Sequence, residues 1–290
     1  MKIYKIMEKK RIWFGISLTI IALGLVFMLM RGFNWGIDFT GGNMLHFDIH
    51  QTYELAEARD VLGKLDIKEF EAKKAGDTGQ ELIIRTVDLS KEMQTEILDT
   101  LKQKWPETEL VRAEAIDAII GKELQRQAVI ALIIANIGML IYITFRFEFK
   151  SAVAAVLALV HDVLIVLSFY AIFNVPVDST FIAVILTIVG YSINDTIVIF
   201  DRIRENLKNM RKTSFDEIAN LSISQTVSRS VNTSVTTLLT ITALFLLGGE
   251  TIKDFTLALI VGISAGTYSS IFIASPLWSV FRGKLKTAKA

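Results

Sequence analysis

The chain has 290 residues, 52% of them apolar, with a mean hydropathy of +0.46 and a net charge of +1. That balance belongs to a membrane protein rather than to an ordinary soluble domain. The absence of cysteine excludes disulfides, thiolate metal centres and cysteine nucleophiles, and the three histidines (His46, His50 and His161) are too scattered for a metal cage.

The first apolar span covers residues 12–30 and follows Lys2, Lys5, Lys9, Lys10 and Arg11. It is too long for a signal-peptide core and lacks a small-x-small cleavage pattern, so it reads as an uncleaved anchor. The stretch FNWGIDFTGGN (33–43) comes next. Trp35 suits a membrane interface, and Gly36, Gly41 and Gly42 allow tight or left-handed turns. No Lys-Ser/Thr follows, so this is no phosphate loop, and Asp38 is expected to be exposed or locally bonded.

Residues 32–123 read as a small folded domain. Strands are expected at 43–49, 67–75, 81–87 and 108–116, with a turn at Gly76-Asp77-Thr78-Gly79. Helices are expected at 54–65 and from Ser90 to 104, each with one apolar face. The order β-α-β-β-α-β is the split, ferredoxin-like arrangement. Five further spans follow, at about 127–145, 152–173, 181–200, 227–247 and 255–280, making a membrane region of residues 124–290. Six spans place both termini on one side.

The basic residues choose that side. Arg146 and Lys150 lie between spans two and three, Arg202, Arg204, Lys208, Arg211 and Lys212 in the loop 202–226, and Arg282, Lys284, Lys286 and Lys289 after span six. The opposite short loops hold only Lys253. By the positive-inside bias both termini are cytoplasmic, residues 1–31 make the cytoplasmic start and first span, and 32–123 lie outside. The basic loop is explained by anionic lipid. Within it, Ser214 and Glu217 have capping-box spacing and mark a helix start.

Asp195 lies within span four. A carboxylate at such depth costs from about 3 to above 10 kcal/mol, and a chain keeps one that has a partner, a wet cavity or a proton to exchange. In span five, Arg229, Asn232, Thr233, Thr236 and Thr240 fall near one stripe at helical spacing. The hydroxyls fit either close helix packing or the lining of a polar path. Arg229 either snorkels to the headgroups or faces Asp195 across a wet cleft. His161 and Asp162 in span three point about 100° apart, so they either relay protons or are satisfied separately within the bundle. Asn136 in span two is expected to bond across helices. No nucleotide loop, metal cluster or nucleophile triad is present, so no enzymatic chemistry is expected.

The segments FNWGIDFTGGN, VGYSINDTIVIFDRIREN and SQTVSRSVNTSVTT resemble motifs of the SecD/SecF family of bacterial protein-export membrane components, within the resistance-nodulation-division superfamily. The resemblance covers nearly the whole chain. It implies an ion or proton relay through Asp195, with Arg229 beside it and Asn194 of the same motif as a further relay residue. Asn232, Thr233 and Thr236 are candidates to line the path, and Gly36, Asp38, Gly41 and Gly42 form the outer-loop motif. It further implies a SecD partner, association with the SecYEG channel and contact with a translocating polypeptide after the SecA ATPase has acted. The lipid bilayer surrounds the chain, and protons or sodium ions supply the drive; no cofactor, metal or nucleic acid is expected. Half of a small-molecule efflux pump and a passive scaffold are the rival readings, the first disfavoured by the small inserted domain.

Overall fold

A computed structural model describes residues 3–283 except 66, 68, 69, 77, 78, 87, 88, 117, 211, 250 and 251. Lys2, Arg211, Lys284, Lys286 and Lys289, the turn residues Asp77 and Thr78, and the strand positions 68, 69 and 87 therefore lie outside the described residues.

Six helical stretches are long and apolar enough to cross a membrane. The first is α1 (Lys10–Arg31). A short α2 (Ile37–Thr40) leads into the inserted domain. That domain comprises β1 (Gly42–Asp48), α3 (Leu55–Leu62), β2 (Phe70–Ala75), β3 (Glu81–Thr86), α4 (Lys91–Lys104) and β4 (Glu109–Ile116). The remaining spans are α5 (Ala118–Arg146), α6 (Phe149–Phe173), α7 (Thr180–Asn209), α8 (Phe215–Leu247) and the pair α9 (Lys253–Ser269) and α10 (Ser275–Gly283).

The inserted domain has the strand order β2-β3-β1-β4, with every neighbouring pair antiparallel. This is the expected split arrangement. Alternation decides which face is buried: Leu45 and Phe47 of β1 lie opposite Ile84 and Leu82 of β3, and all four are fully covered. Ala58 and Leu62 of α3 and Ile97 and Leu101 of α4 close the other side of that core. Ser90 caps α4, accepting a hydrogen bond from the Met93 amide. Strand β4 is an edge, and it exposes Leu110 and Val111.

In the helical bundle, half or more of the residues in the apolar windows of α6, α7 and the α9–α10 stretch are buried, against about a tenth or fewer in those of α1, α5 and α8. The first three are therefore the centre and the others the rim. Close packing at the centre depends on Gly262 and Gly266, four residues apart on α9. A Cβ at either would run into Ile188 or Ser192 of α7. Helix α8 starts at the expected Ser214/Glu217 capping box. Helix α6 ends at Asn174, in the left-handed conformation, whose amide bonds the Tyr170 carbonyl.

The last span departs from the single helix expected at 255–280. A π-helical segment, Ser270–Ala274, separates α9 from α10. Pro276 lies just beyond it. Proline lacks the amide that an α-helix needs in its interior, so the ladder is re-registered upstream.

Contacts with the α6–α7 connection and with α9 help to seat the inserted domain on the bundle. Residues 34–36 pair with Val177 in the α6–α7 connection, through Gly36 N–H to Val177 O and Val177 N–H to Asn34 O, both 2.8 Å. Lys73 of β2 forms an ion pair with Asp254 at the start of α9, at 2.7 Å.

Tyr53 gives this domain an alkaline limit. Its ring is buried, its hydroxyl donates to the Glu81 carbonyl at 2.8 Å, and burial pushes its phenol well above the ordinary tyrosine range. A raised folded pKa means stability that is complete below the unfolded value and lost as pH rises through the folded one. Thermal melts should therefore fall once pH passes about 10, the unfolded tyrosine value. Tyr53→Phe should flatten that fall while lowering stability at neutral pH by about 1 kcal/mol.

Candidate functional site

Helix α7 brings Asp195 into the interior of the bundle, 5% exposed. Its face is set by the helical repeat: Ile188, Ser192, Asp195, Thr196 and Ile199 are all buried. Among the described residues the carboxylate oxygen Oδ2 has no hydrogen-bond partner, and neither has the buried Ser230 hydroxyl of α8. Two groups of α8, the Ser230 hydroxyl and the Arg229 guanidinium, lie near enough to interact with the carboxyl without forming a direct hydrogen bond to it. Arg229 itself is exposed and lines a cavity of about 590 Å³ at the terminus-side end of the bundle. The walls of that cavity include Arg146, Asp201, Arg202, Glu205 and Thr226, with Val198, one helical turn from Asp195, among them. Arg229 thus faces a polar cavity bounded by α5, α7 and α8, and it makes no direct ion pair with Asp195.

Other expected site residues fall elsewhere. Asn194 is exposed, because one residue along a helix turns the side chain about 100° away from Asp195's buried face. Asn232 and Thr236 are also exposed, and Thr233 is half-buried. The face of α8 that meets the bundle carries Ser230, Ser234 and Thr237 instead. Ser234 bonds Thr267 at 2.6 Å, and Thr237 accepts from Tyr191 at 3.2 Å. The hydroxyls of Thr233 and Thr236 bond the carbonyls of Arg229 and Thr233 on their own helix, so within this chain they line no path. Asn136 likewise donates to Leu132 of its own helix rather than across helices, as befits a rim helix.

The outer-loop motif is a clasp. Asp38 Oδ2 accepts from the Ser179 amide at 2.8 Å, a contact to a distant segment rather than the exposed or local one expected. Gly36 is buried against Val177, and its carbonyl accepts from the Phe39 and Thr40 amides, which makes α2 a single helical turn. Gly41 and Gly42 adopt positive φ of 76° and 139°, where a side chain would be strained.

A second buried carboxylate, Asp162, was legible only as half of a pair. The structure joins the pair: His161 Nδ1 lies 3.0 Å from Asp162 Oδ1. The other oxygen accepts from Ser192 of α7 at 2.6 Å and from Ser269 of α9 at 2.8 Å. The serines Ser192, Ser230 and Ser269 were missed. Ser192 could have been found, since it precedes Asp195 by three residues and so shares its face.

These features define a polytopic helical membrane protein with an inserted ferredoxin-like domain and two carboxylates buried among its spans. The family described as "Protein export membrane protein SecD/SecF, C-terminal" matches residues 96–284, and "SecD/SecF GG Motif" matches residues 26–45. Protein translocase subunit SecF of Acidaminococcus fermentans is 40% identical over 99% of this chain and 100% of the relative. The SecF of Escherichia coli O157:H7 is 36% identical over 95% and 87%. The crystal structure of the translocon-associated membrane protein SecDF from Thermus thermophilus superposes with a TM-score of 0.86 at 38% identity. It is matched over 97% of this chain, which spans only 39% of the SecDF chain. The chain belongs to the SecD/SecF family of protein-export membrane proteins, on its SecF branch.

The clasp has a measurable strength. Asp38→Ala removes one charge-assisted hydrogen bond at a partly exposed site, worth about 1 kcal/mol, so exchange of the Ser179 amide should quicken about fivefold. Hydrogen–deuterium exchange read across residues 174–180 measures this.

Proposed function

We propose that this chain is the SecF-type half of an ion-driven accessory complex of the Sec translocase. In this reading Asp195 takes up and releases a cation from the cavity that Arg229 lines, and the resulting helix movement shifts the inserted domain against an emerging polypeptide. The observation that carries it is the orphaned Asp195 oxygen, buried beside an equally unpartnered Ser230 and one turn from a polar cavity. A buried carboxylate oxygen without a hydrogen-bond partner costs stability, and such a cost is retained where the group changes its occupancy. Proton and sodium are the two candidate ions.

A sister subunit, SecD, is the partner. Arg229, Asn232, Thr236 and Thr240 form an exposed polar stripe on a rim helix, and such a stripe is not left against hydrocarbon. Covered by a partner's helices, the same residues would complete the ion path that they do not line within this chain. The 39% share of SecDF supports the same division of labour. Docking to SecYEG and contact with the secreted chain complete the reading, for which the open β4 edge offers a strand-pairing surface.

The basic residues around the terminus-side cavity support a bacterial inner-membrane placement with both termini cytoplasmic and the inserted domain outside. In intact spheroplasts a membrane-impermeant maleimide should label Lys102→Cys in the inserted domain and leave Lys208→Cys unmodified until the membrane is permeabilised; the reverse pattern would invert the topology. The chain's lack of native cysteine makes that readout clean.

Asp195→Asn tests the engine. It keeps the size of the side chain and loses ionisation. Export into inverted vesicles, with proton and sodium gradients imposed separately, should lose all gradient stimulation in this variant at unchanged abundance of the complex. Full stimulation would reduce the chain to a passive scaffold.

A further inference from the structure

The role given to Asp195 leaves the second carboxylate without a task. Asp162 is fully buried near the middle of α6, and both of its oxygens are engaged. Its neighbour His161 reaches the other way, with Nε2 2.9 Å from Ser17 of α1. Four helices therefore meet at one pair of side chains: α1 through Ser17, α6 through the pair itself, α7 through Ser192 and α9 through Ser269.

We propose that His161 and Asp162 form a positioning site that ties the Asp195 turn of α7 to α1 and α9, two of the helices that meet the inserted domain. The α7 side of the link is short. Ser192 lies three residues before Asp195, and its carbonyl accepts from Ser270 at 3.2 Å. Thr196, immediately after Asp195, shares a hydrogen bond with the same Ser270 at 2.8 Å. The turn that carries Asp195 is thus gripped on both sides by a network that Asp162 anchors.

The other end of the link is the inserted domain. Helix α1 runs directly into the clasp of residues 34–38, and α9 begins at the Asp254 that holds Lys73 of β2. Helices α1 and α9 also touch each other, since the Tyr268 hydroxyl donates to the Trp13 carbonyl at 2.9 Å. A rotation of α7 that re-aims Asp195 must stretch the Ser192 and Ser270 bonds, and these pull on the same two helices. The π-helical segment at Ser270–Ala274 is the compliant part of this linkage, because a π turn lets one side of a helix shift register without breaking its ladder.

This rests on the reading that Asp195 exchanges an ion, and the test separates the two. Glu71→Cys with Lys253→Cys, in the otherwise cysteine-free chain, flank the Lys73–Asp254 ion pair, leave it in place, and report whether the domain is seated. Bismaleimide cross-linking yield is measured in membrane vesicles holding the chain with its sister subunit, before and after a proton or sodium gradient is imposed. With the pair intact, the gradient should change the yield about fivefold, the scale of ordinary coupling between sites. Asp162→Asn and Ser192→Ala should each reduce that change to below about twofold at equal abundance of the complex. An undiminished response in both variants overturns the positioning role while leaving Asp195's role standing. A yield that ignores the gradient even with the pair intact, and is the same in Asp195→Asn, overturns both. Should Asp162→Asn fail to accumulate, Ser192→Ala, which removes a single hydroxyl, decides the matter alone.

Discussion

A carboxylate in the interior of a membrane bundle must be answered by protein, because lipid offers it nothing. This chain answers two of them in opposite ways. Asp162 is saturated by an imidazole and two serine hydroxyls from three helices. Asp195, on the helix that supplies one of those serines, has no hydrogen-bond partner for Oδ2 among the described residues. The rest of the architecture follows from that contrast. A saturated group fixes the helices around it, and an unsaturated one retains capacity for something that arrives and leaves.

The packing serves both conditions. Gly262 and Gly266 bring α9 against α7 closely enough for Ser269 and Ser270 to reach Asp162 and the Ser192 carbonyl. A larger residue at either glycine would push apart the helices that make the network. On the other side of α7, the rim helix α8 contributes Ser230 toward Asp195 and turns Arg229 toward the cavity. Helix α8 is itself tied to α7 by the Tyr191–Thr237 and Asn206–Ser222 bonds and to α9 by Ser234–Thr267, so Asp195 Oδ2 stands out as an unpartnered group within a well-bonded contact.

Much of this was readable from residue order. The six spans, the β-α-β-β-α-β domain, the Ser214/Glu217 cap and the depth of Asp195 all follow from periodicity and charge placement. What was not readable depended on rotation and on contacts distant in sequence. The α8 stripe was assigned to the interior, yet the helix presents Ser230, Ser234 and Thr237 there, and a pattern of hydroxyls on nearly every face gives no way to choose between them. His161 and Asp162 were separable by helical angle, but long side chains with flexible torsions close that gap. Asp38 looked local because its partner, the Ser179 amide, is 141 positions away. The π segment had a visible cause in Pro276, which counts for more than the unbroken hydropathy of the span.

The uncovered polar face of α8 has an implication for the cell. A solitary copy would present the Asn232 amide and the Thr236 and Thr240 side chains to acyl chains, a state that lowers its stability in the bilayer. Synthesis of this polypeptide must therefore be matched in amount to whatever shields that helix, and any surplus would be short-lived.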